Sequence, residues 1–513
     1  TSQYMQFQAT NQSSNNSATP FLLHAAGLLE EAIDHSPYNF DLKIAAIVIY
    51  SQLHAAHRAL SIYEDLGVKQ IQQDSCSYLI LPTLIRGGLY TSAIKLSTSL
   101  LRFHGSTAKD VKNYASKALQ NGNIFKAKEM ATFQREKMRP SLQLLHSKGI
   151  VMDTAALMIP SDLHLECELM PGAKQKAKSS VVRLGAEKGF NGSDDDLARA
   201  EQLAIDAEDL FNAPNIIHAA AAHNSTSIDD FVSSDNRDMT VNCFEILHHN
   251  TYLTQDEIVT ESLRSGHMHG LLTRAIMATG AASAPKKGKI PKLTEEASYR
   301  CQSLRQCLLR TKHFGQAIEL DGINKDLWDA CCQMCEVIII VIRGDATDST
   351  NDTLAEREKA AVAMVDSTMH LVQQAQKAFA SCRSDLSSAG AKACRLLPGH
   401  VAPFYVMLET VARLFSLFGW GKRKRMTKAA SGALADLALS FRHLLSDMLG
   451  AMSDFRSCAS LELLAESAAN VEVGSDSIKR VVREIVTSRE MARDRVDPFL
   501  LQMKESLESF YEQ

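Results

Sequence analysis

From Phe21 onward, apolar residues recur at helical spacing, three or four positions apart, in runs of ten to twenty broken by short polar turns. The pattern predicts an all-α chain. A second, longer period lies on top of the first: alanines fall at Ala25, Ala59, Ala93 and Ala127, each 34 residues after the last. That is the length of the tetratricopeptide repeat, a helix-turn-helix unit in which a small residue lets the second helix approach the first. Gly88-Leu89-Tyr90 precedes Ala93 and Gly122-Asn123-Ile124 precedes Ala127, as turns before a second helix should. Pro37, Tyr50, Ala59 and Tyr63 fill the proline, aromatic and small positions of one complete unit.

The expectation is a superhelix of stacked hairpins over 20–140, continuing into a C-terminal helical region over 241–513. Pro82 falls inside the first helix of the third unit, where loss of an N–H and a ring clash predict an irregular hairpin. Before the array, residues 1–19 are rich in Ser and Asn and read as a flexible linker. After Pro140 the period fades, and 141–240 reads as a variable, loop-rich segment holding AKQKAK and GSDDDLA, with a helix over 195–211. Three apolar stripes mark the C-terminal region: Val401 to Phe415, Leu437 to Met452, and Ile478 to Val486.

Composition changes this picture little. A chain of 513 residues with 45% hydrophobic and 22% charged positions and a net charge of −4 has no overall field that favours a charged partner. The longest apolar run, Val337 to Ile342, is far too short to span a membrane and reads as core. Eleven cysteines scattered through helical patterns suggest reduced thiols and a cytosolic setting. The chain opens Thr-Ser-Gln-Tyr with neither Met nor a signal segment, and is expected to be a C-terminal portion of a longer protein that lacks further N-terminal repeats.

Candidate chemistry is sparse. Cys332 and Cys335 have C-x-x-C spacing but no second pair, and read as core thiols; His248-His249 and His267-x-His269 point apart on a helix. No Gly-rich phosphate loop, G-x-S-x-G, H-E-x-x-H or Walker pattern occurs, and Arg86-Gly87-Gly88 reads as a hairpin turn. No catalytic, cofactor or metal residue is expected. Lys422, Arg423, Lys424 and Arg425 read as a basic loop or as contacts to phosphate, such as ribosomal RNA. Sequence-specific nucleic-acid readout and membrane insertion are not expected.

First helices line the concave face of such a superhelix, so Ile44, Val48, Tyr78, Arg86, Lys109 and Lys112 are the candidate partner contacts, with intramolecular hairpin packing as the alternative for the apolar ones. That face is too apolar for the Lys/Asn clamp with which a co-chaperone grips a carboxylate. A general tetratricopeptide adaptor remains the second reading.

The text of the array is itself distinctive. LLEEAIDHSPYN runs on to IVIY; DLGVKQIQ, at 65–72, leads to Asp74 and Tyr78-Leu79; RFH, at 102–104, leads to Lys109-Asp110 and Tyr114; and Asp235-Asn236-Arg237-Asp238 follows farther on. These stretches resemble the non-catalytic auxiliary subunit of the N-terminal acetyltransferase B (NatB) complex. The resemblance implies a helical scaffold around a small catalytic acetyltransferase subunit. The partner, not this chain, would bind acetyl-CoA. It further implies ribosome association in the cytoplasm, acetylation of nascent chains beginning Met-Asp, Met-Glu, Met-Asn or Met-Gln, and a role in actin organisation.

Overall fold

In the computed structural model, the described residues are 19–158, apart from His54 and Pro140, together with 235–238, 428–458, 479–488 and shorter stretches near 258, 333, 370 and 505. Every element among them is a helix. Along the repeats these are α1 (Thr19–His35), α2 (Phe40–Gln52), α3 (Ala56–Asp65), α4 (Ile71–Cys76), α5 (Leu81–Arg86), α6 (Tyr90–Gln120), α7 (Ile124–Phe133) and α8 (Leu142–Met158). A single 3-10 turn, Ser77–Leu79, links α4 to α5, and a π turn, Gln134–Met138, ends α7. Farther on lies α9 (Lys428–Cys458).

The 34-residue period is visible in the backbone. Helix α5 ends when the N–H of Leu89 bonds to the carbonyl of Leu84 and that of Gly88 to Ile85; α6 ends with the same pair of bonds, Asn123 to Ala118 and Gly122 to Leu119. Ala55 donates to Tyr50 in the corresponding place after α2. This is the Schellman closure, which needs a left-handed residue after the helix. Gly88 and Gly122 supply it at φ of 70° and 72°. The small residues behave accordingly: Ala59, Ala93 and Ala127 are buried and Ala25 is half-buried.

Pro82 produces the irregular hairpin that its position predicts. The first helix of that unit breaks into α4, the 3-10 turn and α5, and Pro82 falls in the opening turn of α5, where a missing N–H costs no helical bond. The second departure carries no such sequence signal. Repeated two-helix units call for a turn between the second helix of one and the first of the next, yet α6 runs unbroken for 31 residues and serves as both.

The chain separates into two compact units, each assembled from several stretches. The first comprises Thr1–Ser147, Phe231–Val259 and Phe455–Asp497, so it gathers the repeats together with two distant segments; the second comprises Lys148–Asp230, Thr260–Asp454 and Pro498–Gln513. In α9 the apolar stripe Leu437, Phe441, Leu444, Leu445 and Met448 is fully buried. Val481 and Ile485 are buried in the helical residues 479–488. The stripe from Val401 to Phe415, the expected helix over 195–211, the run 337–342 and the linker 1–18 lie outside the described residues. No described helix is long and apolar enough to cross a membrane.

Candidate interaction surface

Two buried carboxylates organise the first unit. Glu30, on α1, accepts a forked pair of bonds from Arg58 on α3, with Nε at 3.0 Å and the guanidinium NH2 at 2.8 Å, and a third from the Tyr50 hydroxyl at 2.7 Å. Burial, and then the Glu30 carboxylate beside it, push the Tyr50 phenol well above its ordinary range. For Arg58 burial works against the charge, but Glu30 overrides it and holds the guanidinium more firmly protonated than usual. Residues 479–488 close over this pair. Arg480 reaches Asp34 at 2.7 Å and Glu30 at 3.7 Å, and the Ser488 hydroxyl accepts from the N–H of His57 at 2.8 Å and of Arg58 at 3.4 Å. Helix α3 starts at Ala55, which has no capping side chain, so a serine more than 400 positions away satisfies its first free N–H groups.

Asp74, on α4, is the second. Its Oδ1 lies 2.7 Å from His104 Nε2 and accepts from the Ser141 hydroxyl at 2.6 Å, while Oδ2 accepts from the Asn236 amide at 2.8 Å. Burial by itself would raise the pKa of this carboxyl; the bonds and charge of His104, then Ser141 and Asn236, outweigh it and hold the group below the usual carboxylate range. The same Asn236 amide donates to the Lys137 carbonyl, Asp238 N–H bonds to Ser75, and the Tyr78 hydroxyl donates to the Asp238 carbonyl. Arg237 forks onto Asp235 and lies over the Tyr78 ring. Asp74, Tyr78, His104 and Asn236 all belong to the stretches whose text is distinctive, and the structure brings them to one point.

An Asp that meets both a His and a Ser invites comparison with a hydrolase triad, and the geometry rejects it. Ser141 donates its hydrogen bond to Asp74 rather than to His104, and it accepts from Leu144 N–H as the cap of α8. The hydroxyl thus faces a carboxylate held below the usual range, a weak base, and no imidazole, so no activated nucleophile is made. Among the described residues, no group of three ligands could hold a metal ion. Cys335 is a buried free thiol; Cys332 and the paired histidines at 248–249 and 267–269 lie outside the described residues.

The candidate partner contacts divide sharply. Ile44, Val48 and Tyr78 are only 5%, 0% and 2% exposed. The whole run from Ile44 to Ser51 is buried, so α2 has no free apolar side, and hairpin packing consumes the residues expected to meet a partner. Arg86 is half-buried; Lys109 and Lys112 are exposed on α6. Gly87 serves packing more than turn geometry, since a Cβ there would stand 2.4 Å from that of Ala56. Lys422, Arg423, Lys424 and Arg425 lie outside the described residues. Among the described residues, large apolar side chains face outward at Leu28, Tyr38 and Phe40 on the α1–α2 hairpin, at Tyr114, Leu119, Ile124 and Phe125 on the α6–α7 hairpin, and singly at Ile71, Leu439 and Leu501. Sequence reasoning missed those of the two hairpins because they sit in or beside turns or, at Leu28 and Tyr114, singly within a helix, outside any periodic stripe.

Comparison with known proteins finds similarity to one family over part of the chain. The model of the N-acetyltransferase B complex (NatB) non catalytic subunit matches residues 4–179, the repeats and a little beyond. The rat and human proteins called N-alpha-acetyltransferase 25, NatB auxiliary subunit, are each 30% identical over 159 residues, 31% of this chain and 16% of theirs. A Drosophila pseudoobscura pseudoobscura protein, Phagocyte signaling-impaired protein, is 28% identical over 123 residues, 24% of this chain and 13% of its own. The aligned stretch thus spans about a sixth of the mammalian relatives. A solved structure described as the NatB acetyltransferase complex bound to CoA and MES gives a TM-score of 0.45 at 13% identity, covering 95% of this chain and 50% of the other. Residues 4–179, about a third of this chain, are thus similar to the NatB non catalytic subunit family, and that match does not extend to the rest of the chain.

Proposed function

We propose that the protein is a scaffold of the NatB complex, holding the catalytic acetyltransferase subunit and promoting co-translational acetylation of chains that begin Met-Asp, Met-Glu, Met-Asn or Met-Gln. The observation that carries this reading is the family match over 4–179, which falls on the same helices that the Glu30 and Asp74 clusters fix. In this reading acetyl-CoA is bound by the partner. The complex works in the cytoplasm and at the ribosome, with Lys422, Arg423, Lys424 and Arg425 as candidate ribosome contacts, and acts on actin organisation through its substrates.

The partner surface moves away from Ile44, Val48 and Tyr78, which hairpin packing uses up. Leu28, Tyr38 and Phe40 replace them, because large apolar side chains left in water on a rigid hairpin gain most from burial against a folded partner. Co-expression with a NatB catalytic subunit tests the proposal. The expected result is a one-to-one complex that acetylates Met-Asp peptides faster than the catalytic subunit alone and leaves Ser-Glu peptides unaffected. A catalytic subunit that neither co-purifies nor changes its rate would overturn it and favour the general tetratricopeptide adaptor.

A further inference from the structure

The α6–α7 hairpin is charged unlike the rest of the molecule. Between Arg102 and Arg139 stand nine Lys and Arg against three Asp and Glu, a balance of +6 in a chain whose total is −4. All nine cations are exposed. Two spend their charge locally, Lys126 on Glu129 and Arg135 on Glu136. Among the described residues, no carboxylate lies within ion-pair reach of Arg102, Lys109, Lys112, Lys117 or Lys128.

Their placement on α6 is ordered. At about 100° per residue, Arg102, Lys109 and Lys117 fall within about 80° of one another, with Lys112 a further ~60° round, along about 22 Å of helix. Buried Leu100 and His104 lie on the opposite side. Gly105, Ser106, Asn113 and Ser116 fill the gaps between the cations and are themselves exposed. Tyr114 borders the stripe, exposed and with the Lys117 ammonium 5.8 Å from its centre, and Phe125, beyond the connecting turn in the first turn of α7, is 88% exposed.

We propose that this face binds single-stranded nucleic acid without sequence preference, the cations taking backbone phosphates and Tyr114 and Phe125 stacking on unpaired bases. The stripe supplies the phosphate track, and rings beside such a track are what unpaired bases use. An acidic peptide would have no use for the rings. A lipid surface calls for apolar side chains collected on one side of the helix, whereas the exposed apolar side chains of α6, Tyr114 and Leu119, stand on opposite edges of the cation stripe. Lys109 and Lys112, expected from the sequence to meet a protein, belong to this stripe. The inference does not depend on the NatB reading, since it concerns the chain without any acetyltransferase partner.

Fluorescence anisotropy of the full chain with labelled 20-nucleotide oligouridylate and oligothymidylate tests it. Both probes should bind, with affinity falling steeply as salt rises. The triple variant Lys109→Glu, Lys112→Glu, Lys117→Glu should bind at least tenfold more weakly, and its log–log salt dependence should be shallower by about 2, from ~0.7 per phosphate contact. Tyr114→Ala should cost about fivefold or more while leaving the salt dependence alone. Lys69→Glu, on an exposed turn outside the hairpin, should change nothing. Circular dichroism checks folding, and single Lys→Gln changes carry the comparison if the triple variant loses helicity. Binding of neither probe, or a triple variant within twofold of the parent, overturns the proposal; so does binding to phosphatidylserine vesicles in place of either oligonucleotide.

Discussion

Glu30 and Asp74 are both buried carboxylates that fasten a distant stretch of chain to the repeats, but they are neutralised differently. Glu30 faces a full guanidinium that is itself partly exposed, and residues 479–488 add to a pair that would stand without them. Asp74 has no such cation; it depends on an imidazole, a hydroxyl and an amide, from α6, the start of α8 and residues 235–238. Removing one segment from Glu30 leaves an ion pair. Removing one from Asp74 leaves a buried charge short of donors. The second arrangement makes the fold conditional on its clasped segment, and the first does not.

The largest effect should come from Asp74→Ala, which strands the buried donors of His104 and Ser141 and takes one acceptor from the half-buried Asn236 amide. A loss of about 3 to 5 kcal/mol in urea unfolding of the full chain is expected, and a loss under about 1 would remove the contrast between the two sites. Acid should erode the same energy gradually. Because Asp74 titrates below its unfolded value, its stabilisation is complete above about pH 4 and is lost as pH falls through its lower folded pKa. Asp74→Asn should therefore flatten the stability profile below pH 4 relative to the parent. Glu30→Gln keeps an acceptor for Tyr50 while breaking the pair with Arg58, whose side chain is 18% exposed and can partly hydrate; about 2 kcal/mol is expected by the same urea measurement. Ser488→Ala is the mildest, about 1 kcal/mol for a lost cap, read most directly as faster hydrogen exchange at the N–H groups of His57 and Arg58.

Which of these features could be seen in the sequence follows from how local their causes are. The 34-residue period is legible because a small alanine recurs after each turn, and because two of the turns are specified within six residues by a glycine that must be left-handed, Gly88 and Gly122. Pro82 was legible for the same reason. Asn236 could be picked out only through the D-N-R-D resemblance, and nothing at Ser488 signals that it caps a helix in another part of the chain. Ile44 and Val48 were read as partner contacts because an apolar residue on a first helix looks the same whether its neighbour is another helix of the same chain or a second protein. The burial of Ile44 to Ser51 favours hairpin packing within this chain, a distinction that periodicity alone does not carry.

The unbroken α6 sets one more condition on this protein. Where two units are joined by a turn, a residue gained or lost between them is absorbed by the loop. Here the join is helix, and one inserted residue near Gly105 would rotate everything beyond it by about 100° and advance it by about 1.5 Å. Lys117 would swing inward to the place now held by Ala118, and Val111, Ala115 and Ala118, now turned inward, would swing out to the exposed places of Lys112, Ser116 and Leu119. Length variation among close relatives of this protein should therefore collect in the turns near 36–39 and 66–70 and be absent between Tyr90 and Gln120, except in steps of three, four or seven residues that nearly restore the phase.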